Sequence, residues 1–156
     1  MRRSRPCPPI AQAFLAALIA LPIAARFAQG ESRGAIAGPV RAHLVRVVDG
    51  DTVEVLARIW PDHYVEARVR LAGIDAPELR GRCAGEIARA ERAKARLAAL
   101  LSGSRLLLAD VRYGKYAGRV VARVLTEDGR DVAEILLAEK LVRAYDGGRR
   151  TNWCGE

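Results

Sequence analysis

The chain has 156 residues, 51% of them hydrophobic, and a formal net charge of +8. That length supports one domain with a real core. Residues 1–29 hold Arg2, Arg3, Arg5 and Arg26 and no acid, so half of the charge sits at the N-terminus. The remainder is too mildly basic to identify a nucleic-acid binder by charge alone.

In chain order, the basic run Met1-Arg2-Arg3-Ser4-Arg5 precedes an almost uniformly apolar stretch over residues 10–25. This length suits a signal-peptide core and is short for a membrane span. Residues 1–29 are therefore read as a signal peptide, with an N-terminal membrane anchor through residues 10–25 as the alternative. Either form places the following domain outside the cytoplasm, periplasmic or secreted. Cys83 and Cys154 remain in the mature part, an even number for an oxidising compartment, open to a disulfide or to two separate thiols. There is no CxxC and no Cys/His cluster, which argues against zinc.

Residues 30–39 are small and read as a linker to a domain over 40–156. Strand patterns follow at 40–48, 52–59 and 64–72; in the third, Val65, Ala67, Val69 and Leu71 alternate with Glu66, Arg68 and Arg70. Asp49-Gly50 and the run Trp60-Pro61-Asp62-His63 mark the intervening turns. Residues 84–101 read as a helix, with Ile87, Ala90, Leu97, Leu100 and Leu101 as its apolar stripe and Glu86/Arg89 and Glu91/Lys94 as helix-spaced charge pairs. Strands are expected at 105–111 and 119–125. Asp131, with Glu134 three residues on, opens a short helix to about residue 140. The count predicts an α+β, mostly β fold: a five-stranded OB-type β-barrel with a central helix and a second short helix.

Three groups of residues at strand ends carry the chemistry. Asp49-Gly50-Asp51-Thr52 lies between two strands. Arg70 precedes a tight segment that holds Asp75, Pro77 and Glu78. Arg119 follows Gly118. Each acidic turn alone is more often just a turn. Together, carboxylates can hold a hard cation and activate water, while arginines grip a phosphate and the charge that grows on it.

These motifs resemble the thermonuclease, or staphylococcal-nuclease-like, family. The resemblance covers about residues 42–145 and rests on Val-Val-Asp-Gly-Asp-Thr (47–52), Arg-Leu-Ala-Gly-Ile-Asp-Ala-Pro-Glu (70–78) and Lys-Tyr-Ala-Gly-Arg (115–119), in that order. It implies that Asp51 and Asp75 are carboxylate ligands of Ca2+, with the backbone carbonyl of Ala76 as a third. It implies that Glu78 orients or deprotonates the attacking water, and that Arg70 and Arg119 grip the scissile phosphate. Lys115 and Tyr116 would meet the terminal phosphate and base of the nucleotide. Family members commonly read Lys-Tyr-Gly-Arg, so Ala117 is an extra residue here. Cys83 and Cys154 match bacterial relatives that end near Trp-Cys. The implied activity is calcium-dependent endonucleolytic cleavage of DNA and RNA, leaving 3′-phosphate ends, by a monomer. The rivals are a non-catalytic nucleic-acid-binding barrel and an anchored envelope module. A degenerate barrel should have lost some of Asp51, Arg70, Asp75, Glu78 and Arg119, and all five are present. His43 and His63 are read as solvent or turn residues, Trp60 and Trp153 as packing residues, and Arg149 and Arg150 as a solvated basic tail.

Overall fold

The structure is a computed structural model and describes residues 34–103, 105–115 and 118–155. The signal-peptide or anchor segment, Ala117 and Tyr116 lie outside the described residues. The described residues form eight strands and two helices: β1 (Ala35–Ile36), β2 (Val40–Val47), β3 (Thr52–Trp60), β4 (His63–Leu71), β5 (Ile74–Asp75), α1 (Ala84–Leu100), β6 (Arg105–Tyr113), β7 (Arg119–Thr126), α2 (Val132–Ala138) and β8 (Arg143–Ala144). The antiparallel pairs β2–β3, β3–β4, β2–β6 and β6–β7, with a parallel β4–β7 pair, return the sheet to its start. The result is a closed five-stranded mixed barrel of the expected OB type, with no free edge between its principal strands.

The alternation seen in the sequence sends Val53, Val55, Val69, Leu71, Leu106, Leu108, Ala122 and Val124 inward, where all are buried. The barrel is closed at one end by α1, whose buried face is Ala90, Ala93, Leu97 and Leu101. The expected stripe is corrected in two places. Ile87 is exposed, and the small Ala93 takes the inner position because the turn carrying Gly50 comes against it. The expected Glu86/Arg89 pair is also replaced. Glu86 is buried and accepts the Arg82 N–H at 2.8 Å, while Arg89 donates to the Trp153 carbonyl at 2.7 Å. Asp131 caps α2 as expected: Oδ1 accepts from the Ala133 N–H at 2.9 Å and the Glu134 N–H at 3.4 Å.

Two parts of the chain differ from the sequence reading. Within the expected linker, Ala35 and Ile36 pair with Arg112 and Val111, and the Asp110 N–H donates to Ala37, filling the bulge that interrupts β6. Trp60 is 70% exposed at the tip of the β3–β4 hairpin instead of packed. Trp153, by contrast, is buried. Among the described residues, no helix is long and apolar enough to cross a membrane.

Candidate active site

The two acidic turns converge because of how β3 and β4 pair. Thr52 lies opposite Arg70, so the end of β3 and the end of β4 open onto the same rim. The parallel β4–β7 pair sets Arg70 beside Val121 and brings Arg119 to the same end. The Leu71 N–H donates to the Asp51 carbonyl at 2.8 Å and the Ala72 N–H to the Ala122 carbonyl at 2.9 Å, stitching the three strand ends together. Gly50 is required here. A Cβ at this position would come 2.8 Å from Ala76 Cβ and 2.9 Å from Ala93 Cβ, so only glycine lets the first acidic turn nest against both the second turn and α1.

Asp51 is 4% exposed and Asp75 3%. Asp51 Oδ1 accepts from Arg70 Nη1 at 2.7 Å and from Thr52 Oγ1 at 2.9 Å, and Oδ2 accepts the Ala76 N–H at 3.1 Å. Arg70 spans the turn with its fork: Nη2 also donates to the Ile74 carbonyl at 3.0 Å and lies 3.7 Å from Asp75 Oδ1. The Tyr145 ring sits under the guanidinium, its centroid 5.7 Å away. Asp49 Oδ1 accepts the Asp51 N–H at 3.0 Å. Burial raises the Asp49 carboxyl above its ordinary pKa and the neighbouring Asp51 charge raises it further.

A cavity of about 100 Å³ is lined by Asp49, Asp51, Thr52, Arg70, Ala76, Pro77, Glu78, Arg119 and Arg150. It gathers three strand-end groups that are far apart in sequence. Asp75 lies immediately behind, lining a cleft of about 720 Å³ that shares Ala76, Glu78 and Arg150 with the cavity, and a further cleft of about 420 Å³. Lys115 is exposed on the turn between β6 and β7 and is not among the cavity residues, and Tyr116 lies outside the described residues. Cys83 and Cys154 are joined in a disulfide, 71 residues apart.

The C-terminal tail corrects the solvated-tail reading of Arg150. Arg150 Nε lies 2.9 Å from Asp75 Oδ1, and Nη1 pairs with Glu78 Oε1. The Trp153 indole N–H donates to Asp75 Oδ2 at 3.3 Å, and Arg143 stacks on the Trp153 ring, 3.8 Å from its centroid. The tail is thus pinned by more than its cysteine. One signal in the sequence could have located Arg150. Cys83 closely follows Glu78 and Cys154 closely follows Arg150, so a bridge between the cysteines carries Arg150 to Glu78.

A model of the staphylococcal nuclease homologue family matches residues 68–152, which include Arg70, Asp75, Glu78 and Arg119. The chain belongs to this family. Among curated proteins, it is 27% identical over 110 residues to a protein named "Uncharacterized endonuclease" from Escherichia coli, covering 69% of this chain and 62% of that protein. The same figures hold for the protein of that name from Escherichia coli O157:H7. It is 38% identical over 84 residues to "Protein ParB" of Escherichia coli, covering 52% of this chain and 41% of that one. The chain therefore spans less than two thirds of the length of the curated relatives it matches. Membership of this nuclease family accords with the OB-type barrel and with acidic and arginine residues gathered at one barrel end.

Proposed function

We propose that the protein is an exported, calcium-dependent endonuclease that hydrolyses phosphodiester bonds of DNA and RNA and leaves 3′-phosphate ends. The supporting observation is the single cavity onto which Asp51, Arg70, Glu78 and Arg119 open, with Asp75 directly behind it. The endonuclease names of two relatives support the reaction class.

The donor set suits a hard cation. Asp51 and Asp75 are buried carboxylates from different strand ends, and Asp75 Oδ1 accepts no hydrogen bond although it is buried. Asp51, Asp75 and the Ala76 carbonyl would hold calcium as oxygen ligands. When bound, the ion supplies positive charge beside the phosphate oxygens and lowers the pKa of coordinated water.

The chain's own residues supply the remainder. Glu78, its side chain 55% exposed, faces the cavity and the cleft beside it, where it can take a proton from the attacking water. Arg70 is pre-aimed by Asp51, Ile74 and Tyr145, so its guanidinium needs little reorganisation to meet a phosphate oxygen. Arg119, from the neighbouring β7, lines the same cavity and adds a second guanidinium to the clamp. The apolar start and basic flank at residues 1–25 support export, with the leader cleaved or retained as an anchor.

The test uses the purified chain with end-labelled single-stranded DNA and RNA, in calcium or in chelator. Fragments with 3′-phosphate and 5′-hydroxyl ends in calcium alone are expected. Nucleic acid left intact in calcium would overturn the catalytic reading in favour of a binding module.

A further inference from the structure

Arg150 bridges two carboxylates with different tasks, Asp75 as a cation ligand and Glu78 as a base. Its Nε lies 2.9 Å from Asp75 Oδ1 and its Nη1 pairs with Glu78. Both contacts conflict with those tasks. A carboxylate paired with a guanidinium is a poorer base, and the Asp75 oxygen available to a cation is the one that Arg150 approaches. We propose that Arg150 is an exchangeable counter-ion of the site: it spans Asp75 and Glu78 until a divalent cation takes over their charge, and then turns to a phosphate of the nucleic acid. This inference rests on the calcium-nuclease reading.

Three observations carry it. First, the contact with Asp75 is one of charge more than of directed bonding, because Oδ1 accepts no hydrogen bond even with Nε at 2.9 Å. Such a contact is readily surrendered to a stronger point charge. Second, the backbone around Arg150 is fixed on its C-terminal side. Arg143 donates to Thr151 Oγ1 at 2.8 Å and to the Asn152 carbonyl at 3.0 Å, Trp153 is buried, and Cys154 is tied to Cys83. The side chain can swing while its Cα stays in place. Third, Arg150 lines both the small cavity and the 720 Å³ cleft next to it, so the displaced guanidinium faces space wide enough for a phosphate chain. The charge balance points the same way. Across the cavity and the cleft, Asp49, Asp51, Asp75, Glu78 and Glu86 face Arg70, Arg82, Arg119, Arg149 and Arg150, which leaves the lining neutral. A divalent cation makes it positive, and a polyanion then gains from approaching.

The experiment pairs calcium titration by calorimetry, without nucleic acid, with steady-state kinetics on single-stranded DNA at saturating calcium, for the full chain and its Arg150→Ala variant. Removing the competing cation should tighten calcium binding by about threefold or more. Removing a phosphate contact should raise KM for DNA about tenfold. A merely structural arginine would weaken both or move neither. Calcium affinity equal to or below wild type in Arg150→Ala overturns the counter-ion role. Unchanged KM overturns the phosphate role. If wild type binds no calcium and cleaves nothing, the calcium-nuclease reading falls and takes this one with it. If wild type does both and the variant matches it, only this inference falls. Arg150→Gln, polar and neutral, gives the same two readings should the alanine variant fold poorly.

Discussion

Arg70 and Asp51, nineteen residues apart in sequence, are joined side chain to side chain across the rim of the barrel, Nη1 to Oδ1 at 2.7 Å. Both are largely buried, with side-chain exposures of 13% and 6%. The pair ties the first acidic turn to the second, because the same guanidinium also reaches the Ile74 carbonyl one residue before Asp75.

Arg70→Lys keeps the charge but cannot hold Asp51 and Ile74 at once. Turnover should fall on the order of a hundredfold, as on removal of a transition-state donor, with a smaller change in melting temperature. Arg119→Lys should behave alike. Near-normal kcat in either variant, measured at saturating calcium, would exclude a forked grip on phosphate.

Glu78→Gln should fold, because Glu78 is exposed and its backbone N–H is held independently by the buried Glu86 at 3.4 Å. Activity should drop by about 10²–10⁴-fold, since an amide cannot accept a proton from water. Circular dichroism and a DNA-binding assay separate loss of chemistry from loss of structure. An unfolded variant would make Glu78 a structural residue.

Much of this arrangement was legible in the sequence, for identifiable reasons. The barrel strands carry period-two alternation, and the site carboxylates sit in turns whose residue types are hard to explain by packing. Other features had no periodic signature. The two-residue pair Ile74–Asp75 with Arg143–Ala144 is created by tertiary contact and is too short to pattern. Ala93 is small, so it looked peripheral beside Ile87, yet the approach of Gly50 demands a small residue there. Arg150 lies in an aperiodic stretch, where only the geometry of the cysteine bridge reveals its position. Trp60 looked like a core residue by type, but the irregularity between Arg58 and Trp60 leaves it at a solvent-facing tip.

Gly50→Ala tests the nesting of the acidic turn. With 2.8 and 2.9 Å to the Ala76 and Ala93 methyl carbons, the new Cβ must push the second acidic turn off α1. Overpacking of this kind costs about 1–3 kcal/mol. Thermal melting should show that loss, and calcium affinity should weaken in parallel because Ala76 is displaced. A variant as stable as wild type would mean that the loop yields without cost.

The Cys83–Cys154 bridge closes a loop of 71 residues, for which the chain-entropy model gives about 4 kcal/mol. The Cys83→Ser/Cys154→Ser variant should melt lower by less than that figure implies, because Trp153 and Arg143 still seat the tail. Nuclease activity at moderate temperature should persist. Mass spectrometry of non-reduced peptides from the protein purified without reductant should find the two cysteines linked; both thiols free to alkylation would refute the bridge.

A pH test addresses the contact between the helices. Arg96 on α1 donates to Glu139 at the end of α2, with distances from 2.6 to 3.0 Å. The hydrogen bonds from Arg96 hold the Glu139 carboxyl below its ordinary value of 4.5. Because the folded-state pKa is depressed, the stabilisation is present above the unfolded value and is lost as pH falls through the folded one. Melting temperatures of wild type and Glu139→Gln should therefore differ at neutral pH and converge in acid below 4.5. The gap should be small, since the pair is solvent-exposed. A gap that widened in acid would contradict the assignment.

The parallel β4–β7 pair has a consequence for biosynthesis. The strand that delivers Arg119 can dock against β4 only after the intervening α1 and β6 have been made. Asp75 then waits longer still for Arg150 and for Trp153, which is made 78 residues after it. A nascent polypeptide therefore holds scattered carboxylates and arginines but no assembled cleft.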